Sequence, residues 1–254
     1  MLGRQLLESW RARRKEARRK QKFEAAQARD RDVSLAKSFE RIYTNAEWGA
    51  APDGGIFWSG NGSHPEHSAA YEAYIVALID ANPWIGSIVD IGCGDFQVSA
   101  RILSRVGRPL DYTGLDVVRP LIEHHNRTHA GPSRRFICCD ASSEPVPQGD
   151  LGIIRQILQH LSNAQAEAIL EQAARAFKAV IIVESLPLEP KSPNLDIGHG
   201  VTTRVALGSG IYIDEPPFSL TPAAQFDSPH TPTELLRTSL VVFDPTVQLV
   251  TPIR

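Results

Sequence analysis

An apolar strand that runs directly into a glycine turn is the feature that most constrains the fold of this chain. The segment is Ile88–Phe96, in which the strand leads into Gly92-Cys93-Gly94. Glycines at such a turn let the backbone bend sharply and approach a ligand where a Cβ atom would collide. A helix signal follows the turn. The sequence therefore predicts the first strand–turn–helix unit of a ligand-binding sheet.

Strand and helix signals alternate from this turn to Glu184. We expect a helix over 69–81, then strands at 87–91, 112–116, 135–139, 150–154 and 180–184, with helices at 98–106, 120–129 and 163–177. This alternation predicts an α/β fold, namely a Rossmann-like, doubly wound, mostly parallel sheet with helices on both faces. Near the C-terminus, 240–244 and 247–251 flank Pro245-Thr246 and predict an antiparallel hairpin.

The first 41 residues have a different composition from the rest. Basic residues crowd one short stretch: Arg11, Arg13, Arg14, Lys15, Arg18, Arg19, Lys20 and Lys22. Few glycines or prolines interrupt 6–41, which predicts a helix there. We therefore expect a basic N-terminal helical extension over 1–41 and a second domain over 42–254. A solvated surface and an anionic partner such as RNA, phospholipid or a polyanionic glycan both remain open for the extension.

Bulk properties exclude several classes of protein. A formal net charge of −2 gives no overall attraction to nucleic acid or membranes. Cys93, Cys138 and Cys139 are odd in number and partly adjacent, so they do not suggest a disulfide framework. Without Cys/His spacing for zinc or clustered carboxylates, no metal is predicted. Lacking a secretory signal and an apolar run of about 20 residues, the chain is expected to be cytoplasmic, with no transmembrane segment.

The turn must next be assigned to a class of cofactor. A dinucleotide fingerprint needs a third glycine where this chain has Gln97, so that a pyrophosphate can sit on the helix N-terminus. Asp90 and Asp95 flank the turn and would repel a pyrophosphate. They suit S-adenosylmethionine (SAM), which carries an ammonium and a sulfonium cation. The sequence therefore favours SAM over a dinucleotide.

Two acids after later strands extend this interpretation. Asp116 ends the second strand about twenty residues after the turn, where an acid accepts hydrogen bonds from both ribose hydroxyls. Asp140 follows the third strand, where a carboxylate can accept from an adenine amino group while the next backbone N–H, of Ala141, meets a ring nitrogen. The order and spacing of these elements strengthen the prediction of SAM.

On these motifs the stretch from Ile75 to Glu184 resembles the class I SAM-dependent methyltransferases. Within the class, the chain resembles a bacterial subgroup associated with glycan or polysaccharide methylation. The further residues that carry this second resemblance are Ile42-Tyr43, Trp48-Gly49, Ser59-Gly60-Asn61-Gly62-Ser63, Cys93-Gly94-Asp95-Phe96, His160-Leu161-Ser162, Asn194-Leu195-Asp196-Ile197 and Pro216-Pro217-Phe218-Ser219-Leu220. Arg155 fits the subgroup pattern, but Gln156 stands where an acid is common, which puts an acid/base role there in doubt.

The resemblance implies that the loop 48–63 lies over the cofactor and that the proline-rich stretch 186–235 is an insertion forming part of an acceptor pocket. The expected cofactor-binding residues are Trp48, Ser59, Gly60, Ser63, Asp90, Gly92, Gly94, Asp95, Asp116, Val117, Asp140, Ala141, Arg155 and Gln156. The expected partner is a small-molecule or oligosaccharide acceptor. Nucleic acid is not expected, and the oligomeric state is left open.

The leading functional hypothesis is in-line O-methylation of a sugar or glycan hydroxyl with a histidine as general base. His160, after the fourth strand, is the first candidate for that base, and an ordinary packing role is the alternative. Glu184, after the fifth strand, is a weaker candidate for a catalytic or acceptor-binding group. Methylation of another small metabolite, an RNA-binding or RNA-methylating protein recruited by the basic helix, and a catalytically idle SAM-binding regulator remain alternatives.

Overall fold

The computed structural model describes residues 2–52 and 54–252. The helices are α1 (Leu2–Asp30), α2 (Leu35–Thr44), α3 (Pro65–Ala81), α4 (Gln97–Arg105), α5 (Arg119–Thr128) and α6 (Asn163–Ala176). The strands are β1 (Ser87–Ile91), β2 (Asp111–Asp116), β3 (Arg134–Cys138), β4 (Gly149–Arg155), β5 (Phe177–Pro187), β6 (Ala224–Thr231) and β7 (Glu234–Val242). Short 3-10 turns lie at Asn61–Ser63, Leu158–His160 and Arg204–Leu207.

Within the described residues the strands form one seven-stranded sheet in the order β3-β2-β1-β4-β5-β7-β6. The first five strands are parallel, β7 runs antiparallel to β5, and β6 pairs antiparallel with β7. The predicted fold class, a Rossmann-like and mostly parallel sheet with an antiparallel C-terminal pair, is confirmed. Its carboxyl edge is where such sheets bind ligands.

The two faces of the sheet are covered by different helices. Side chains alternate between faces along each strand, so Ile88 and Val89 enter separate cores. One core contains residues of α3, α4 and α5, and the other contains residues of α6. This division explains why the central strands are apolar almost throughout: both of their faces are buried.

The antiparallel pair is not where the sequence placed it. The predicted hairpin at 240–244 and 247–251 is wrong, because the observed pair is β6 and β7, joined near Pro232. Pro245-Thr246 follows β7 in a turn whose Thr246 N–H donates to Asp244 Oδ1 at 2.9 Å. Pro229 lies within β6, where proline is tolerated because β6 is an edge strand.

The N-terminal extension consists of two helices. The predicted continuous helix breaks after Asp30, and Ser34 caps α2 by accepting from Lys37 N. The expected domain boundary after residue 41 falls inside α2. The basic side chains described in the first part of α1 are exposed: Arg11, Arg14, Arg18, Arg19, Lys20 and Lys22. No described helix is both long and apolar enough to cross a membrane.

A buried carboxylate joins α1 to α2. Asp30 is 1% exposed and accepts from Ser38 Oγ at 3.0 Å and from Arg41 Nη1 at 2.5 Å. Burial alone would raise the pKa of Asp30, but the hydrogen bonds from Arg41 and Ser38 outweigh it and lower the pKa below 3.8. Arg41 also donates to Glu47. The orientation of α2 therefore depends on Asp30.

The stretch 186–235 is linked to both the sheet and α1. It contains β6, so part of the expected insertion belongs to the sheet itself. Gln27 of α1 accepts from Gly198 N and donates to Gly198 O and to Thr202 Oγ1. Arg204, which is fully buried, donates to Leu158 O at 2.7 Å. These bonds hold the stretch against the end of α1 and the turn after β4.

We expect Asp30→Asn to lower the stability of the protein by about 2 kcal/mol, or about 4–8 °C in Tm. The substitution removes one charge of a buried ion pair, and the loss is limited because Arg41 retains its ion pair with Glu47. Since the native pKa is lowered, this contribution is present above pH 3.8 and is lost as the pH falls through the lower native value. Thermal unfolding at pH 7 and pH 3 measures it. Glu24→Gln, in an exposed pair with Lys20, is the control and should change stability little. Equal effects of the two substitutions would contradict the prediction.

Candidate active site

A cavity lies at the carboxyl ends of β1, β2 and β4. All of the expected cofactor residues except Gly60 line it, and His160 lines it as well. The lining residues drawn from that set are Trp48, Ser59, Ser63, Asp90, Gly92, Gly94, Asp95, Asp116, Val117, Asp140, Ala141, Arg155 and Gln156. The structure therefore brings together residues that span more than ninety positions of sequence.

The glycine turn forms the floor of the cavity. Gly92 and Gly94 have φ values of +71° and +53°, which disfavour a side chain. A Cβ atom added at Gly92 would overlap Ile157, and one at Gly94 would overlap Ser59 Oγ. The N–H groups of Gly92 and Cys93 donate to Leu115 O at 2.8 and 2.9 Å. The turn is therefore held tightly against the strand ends and the overlying loop.

The loop 48–63 is fastened over this turn by a reciprocal pair of hydrogen bonds. Ser59 N donates to Asp95 Oδ2 at 2.9 Å, and Asp95 N donates to Ser59 Oγ at 2.8 Å. Tyr43 Oη lies 2.8 Å from the same Ser59 Oγ. Gly60, which does not line the cavity, has a φ of +88° and packs beneath Trp48. Gly60 therefore shapes the path of the loop 48–63.

Acidic groups surround one end of the cavity. Asp90 is buried and accepts from Ser99 Oγ at 2.6 Å and Tyr112 Oη at 2.7 Å. Burial raises the pKa of Asp90 and of Asp95, although the hydrogen bonds that each carboxylate accepts act in the opposite direction. Removal of a carboxylate from water favours its neutral form until a cation approaches. This end of the cavity therefore suits a positively charged ligand group.

Arg155 is the one arginine or lysine among the described residues that line the cavity. Its Nη2 donates to Gly62 O at 2.5 Å, and its guanidinium lies 5.4 Å from the centre of the Tyr71 ring. Its Nε is buried and has no hydrogen-bond partner among the described residues. Burial lowers the pKa of Arg155, but nearby acids counteract this. A buried donor without a partner fits an anionic ligand group, such as a carboxylate.

Gln156 follows Arg155 with a φ of +54°, an uncommon conformation for glutamine. Its Nε2 donates to Ser185 Oγ at 3.0 Å. The side chain also lies against Gly62, where an added Cβ atom would overlap Gln156 Oε1. The amide thus bonds to β5 and packs against the overlying loop, which is a positioning role that a neutral side chain can perform.

Asp116 and Asp140 lie on the other side of the turn. Asp116 accepts from Gly94 N at 3.2 Å and from Val118 N at 3.0 Å, one on each oxygen. Burial raises the pKa of Asp116 to about 6, despite these bonds. Asp140 Oδ1 accepts from Ser142 N and Oγ. The apolar residues that line the cavity include Val117, Cys139, Ala141, Leu161 and Ile169, a surface suited to an aromatic base.

A set of aromatic rings, which we call the aromatic lid, covers the cavity. It consists of Phe39, Tyr43, Trp48 and His160. Ring centres are 6.0 Å apart for Phe39 and Trp48, 5.2 Å for Tyr43 and Trp48, and 5.5 Å for Trp48 and His160. The sequence interpretation gave α2 no role in the site. Leu35, Phe39 and Tyr43 are four residues apart, and this helical spacing was the signal for a buried stripe.

His160 lies at the end of the turn after β4 and is buried. Its Nδ1 is 3.1 Å from Gly200 O, and since a carbonyl only accepts, Nδ1 carries the proton. The neutral ring then has its lone pair on Nε2. Burial lowers the pKa of His160 to about 4, although the carbonyls of Gly200 and Thr202 act to raise it. The imidazole is therefore neutral near pH 7.

Glu184 does not line the cavity. It is 2% exposed, and its oxygens accept from Leu158 N at 2.9 Å and Gln159 N at 3.2 Å. Burial raises the pKa of Glu184 to about 8. These contacts favour support of the turn that carries His160 over the catalytic or acceptor-binding contact expected from the sequence. None of the described residues of 186–235 lines the cavity; this stretch reaches His160 through Gly200.

A model of the family described as "methyltransferase domain" matches residues 88–179. Residues 88–179, about a third of the chain, are therefore similar to methyltransferase domains. The groups around the cavity also fit SAM: acids suit its cationic centres, the free Nε of Arg155 suits a carboxylate, and Asp116 suits a ribose. SAM is the cofactor of this domain.

Solved structures with similar folds include several methyltransferases, and a search of curated proteins finds no match. The N-methyltransferase NodS from Bradyrhizobium japonicum WM9 is 12% identical, with 71% of this chain and 98% of that chain covered and a TM-score of 0.50. Human N-acetylserotonin methyltransferase with SAM is 13% identical, with 83% and 60% covered and a TM-score of 0.52. The [4+2]-cyclase SpnF is 14% identical, with 82% and 95% covered and a TM-score of 0.53. At these identities the likeness shows the fold alone.

Asp116 should make SAM binding depend on pH. Its ionised form offers more acceptor capacity to ribose hydroxyls, so we expect the Kd for SAM to be constant above about pH 7 and to rise as the pH falls through about 6. At pH 5 binding should be about tenfold weaker, because about one carboxyl in ten is still ionised one unit below its pKa. Calorimetric titration from pH 5 to pH 8 measures this. Asp116→Asn should bind weakly at every pH, and an unchanged pH slope in that variant would contradict the assignment.

Proposed function

We propose that this protein transfers the methyl group of SAM to a hydroxyl group of a small, polar acceptor of the sugar class. The observation that carries the proposal is the arrangement of His160, which is neutral, lines the cofactor cavity and has Nε2 as its unprotonated nitrogen. A hydroxyl nucleophile needs a group that accepts its proton. An amine that is already deprotonated has less need of such a group.

In this proposal the cofactor is held from three directions. Asp116 accepts from the ribose hydroxyls, and Asp140 lies on the adenine side of the glycine turn. Asp90 and Asp95 face the cationic methionine end, and the free Nε of Arg155 donates to its carboxylate. When bound, SAM supplies an electrophilic methyl group on a sulfonium. All other contributions come from the chain's own side chains.

Alignment is the main task of these side chains, because methyl transfer requires the nucleophile, the methyl carbon and the leaving sulfur in one line. The aromatic lid is placed to exclude water and to orient the flat face of an acceptor. Its rings belong to three separate segments: α2, the loop 48–63 and the turn after β4. Trp48 of the loop contacts both Tyr43 of α2 and His160 of the turn. The Ser59–Asp95 bonds then fix that loop on the glycine turn.

His160 accepts the hydroxyl proton at Nε2 while Gly200 O holds the ring through Nδ1. A pKa of about 4 keeps this nitrogen free at neutral pH but makes it a weaker base than one with a pKa near the working pH. The rate acceleration that His160 supplies is therefore expected at the lower end of the range for general bases. Most of the acceleration comes from alignment and exclusion of water.

Glu184 acts as a positioning residue in this scheme. It holds the N–H groups of Leu158 and Gln159, and Arg204 holds the carbonyl of Leu158. The short turn Leu158–His160 is therefore held by hydrogen bonds to Glu184 through its N–H groups and to Arg204 through a carbonyl. Because a small rotation of this turn would move the imidazole, loss of either group should disturb the position of Nε2 without removing a group that contacts the acceptor.

A sugar acceptor is supported by the subgroup resemblance of the motifs in 42–63 and 194–220, together with the aromatic rings and polar groups at one site. A panel assay tests the acceptor class. Purified protein is incubated with SAM and nucleotide sugars, free sugars, short oligosaccharides or primary and secondary amines. We expect a product that is one methyl group heavier, with an ether linkage, from the sugar set. Methylation confined to amines would overturn O-methylation.

The His160→Asn substitution tests the proton acceptor. We expect kcat to fall by about 100-fold, the lower end of general-base effects, while the Kd for SAM changes little. For the wild-type protein at saturating SAM, kcat should stay level down to about pH 5 and fall only as the pH passes through about 4, where His160 becomes protonated. His64→Asn, at a half-buried histidine outside the cavity lining, is the control. A variant at His160 with full activity would remove this residue from the mechanism.

A further inference from the structure

Three histidines form a cluster behind the glycine turn, outside the cavity. They are His124 and His125 of α5 and His129 at its C-terminal end, and none of them lines the cavity. All three lie in the helix that the sequence predicts over 120–129. In the structure one ligand nitrogen from each lies within 4.8 Å of those of the other two, and His125 is buried.

His125 is prepared for a ligand by its own hydrogen bond. Its Nε2 lies 2.7 Å from Gly94 O, so Nε2 carries the proton of the neutral ring and donates it to that carbonyl. Nδ1 therefore bears the lone pair. It is buried and has no hydrogen-bond partner among the described residues. A histidine that donates one ring N–H to a backbone carbonyl while the other nitrogen binds metal is the common arrangement in metal sites.

We propose that His124, His125 and His129 form a binding site for a divalent transition metal of the zinc class. This site is separate from methyl transfer and does not depend on the function proposed above. Three imidazoles and no carboxylate suit zinc or its neighbours, whereas magnesium and calcium prefer oxygen ligands. A fourth position, open to water, would complete a tetrahedral site.

The cluster needs only local adjustment to close around an ion. Zn–N distances of about 2.0–2.1 Å in a tetrahedron place the nitrogens about 3.3–3.4 Å apart. His124 and His129 are half-buried, and rotation of their side chains can bring their nitrogens toward the fixed ring of His125. Phe96 and Phe136 pack against His125, with ring centres at 6.0 and 4.9 Å, and hold that ring in place.

The charges near the cluster limit its affinity. Arg134 stacks on Phe96 and acts on His129 as a positive charge. With neutral imidazoles as the only protein ligands, the bound ion keeps its full positive charge. We therefore expect micromolar binding, as for a site that responds to metal supply, with a preference for ions that favour nitrogen ligands.

Zinc titration of the full-length protein without a histidine tag tests the site. We expect the wild type to bind one equivalent of Zn²⁺ in competition with a colorimetric chelator, and His124→Gln/His129→Gln to lose that equivalent. His64→Gln/His67→Gln is the matched control, because these histidines also neighbour one another but lie outside the cluster, and it should keep the equivalent. Equal zinc stoichiometry in the wild type and the cluster variant would overturn the proposal.

A second measurement guards against misfolding of the cluster variant. With zinc at about 100 times its Kd, the Tm of the wild type and of the control should rise by about 5–10 °C, and that of the cluster variant should not. The metal-free Tm and the Kd for SAM of the cluster variant should match those of the wild type, since His125 keeps its bond to Gly94. A zinc-induced rise of equal size in the cluster variant would also refute the site.

Discussion

The tight turn at Gly92-Cys93-Gly94 is the constraint on which the rest of the site depends. The turn is buried, so its backbone groups must find partners inside the protein. The N–H groups of Gly92 and Cys93 bond to Leu115 O, Gly94 N bonds to Asp116, and Gly94 O bonds to His125. Each partner belongs to β2 or α5. The turn therefore fixes the carboxylate of Asp116 at the same time as it shapes the floor of the cavity.

The upper half of the site comes from segments far away in sequence, and it is held by polar contacts. The Ser59–Asp95 pair fastens the loop, whereas the buried Asp30–Arg41 pair orients α2. Polar contacts require defined distances and angles, unlike apolar packing alone. They are well suited to place the rings of Phe39 and Trp48 in register above the turn. The N-terminal region thus contributes Leu35, Phe39 and Tyr43 to the lining of the cavity, in addition to carrying basic residues.

Local signals were sufficient to predict the five parallel strands and most of the polar residues that line the cavity. Each of these signals is local, because the glycines directly follow β1, Asp116 ends β2 and Asp140 lies just after β3. The antiparallel pair was misplaced because β6 contains Pro229 and alternating polar residues, which give a weak strand signal. It forms a strand because it pairs with β7. The burial of His125 and Glu184 also escaped prediction, since it depends on Gly94 O and on the turn at Leu158. Contacts of this kind arise only once the fold is assembled.

Burial shifts the titratable groups of the site toward their neutral forms. The pKa values of Asp90, Asp95 and Asp116 are raised, and that of His160 is lowered, with removal from water as the largest cause in each case. A cation that enters such a cavity reverses the effect on the acids, because it restores the charge–charge attraction that burial removed. Binding of a cationic ligand is therefore coupled to proton release from Asp116 at pH values near and below its pKa of about 6. Binding of the cation also leaves His160 neutral, since a nearby positive charge lowers the pKa of an imidazole further. Ligand entry thus favours the ionised form of the acids and preserves a proton acceptor, and both effects follow from the positive charge of the ligand.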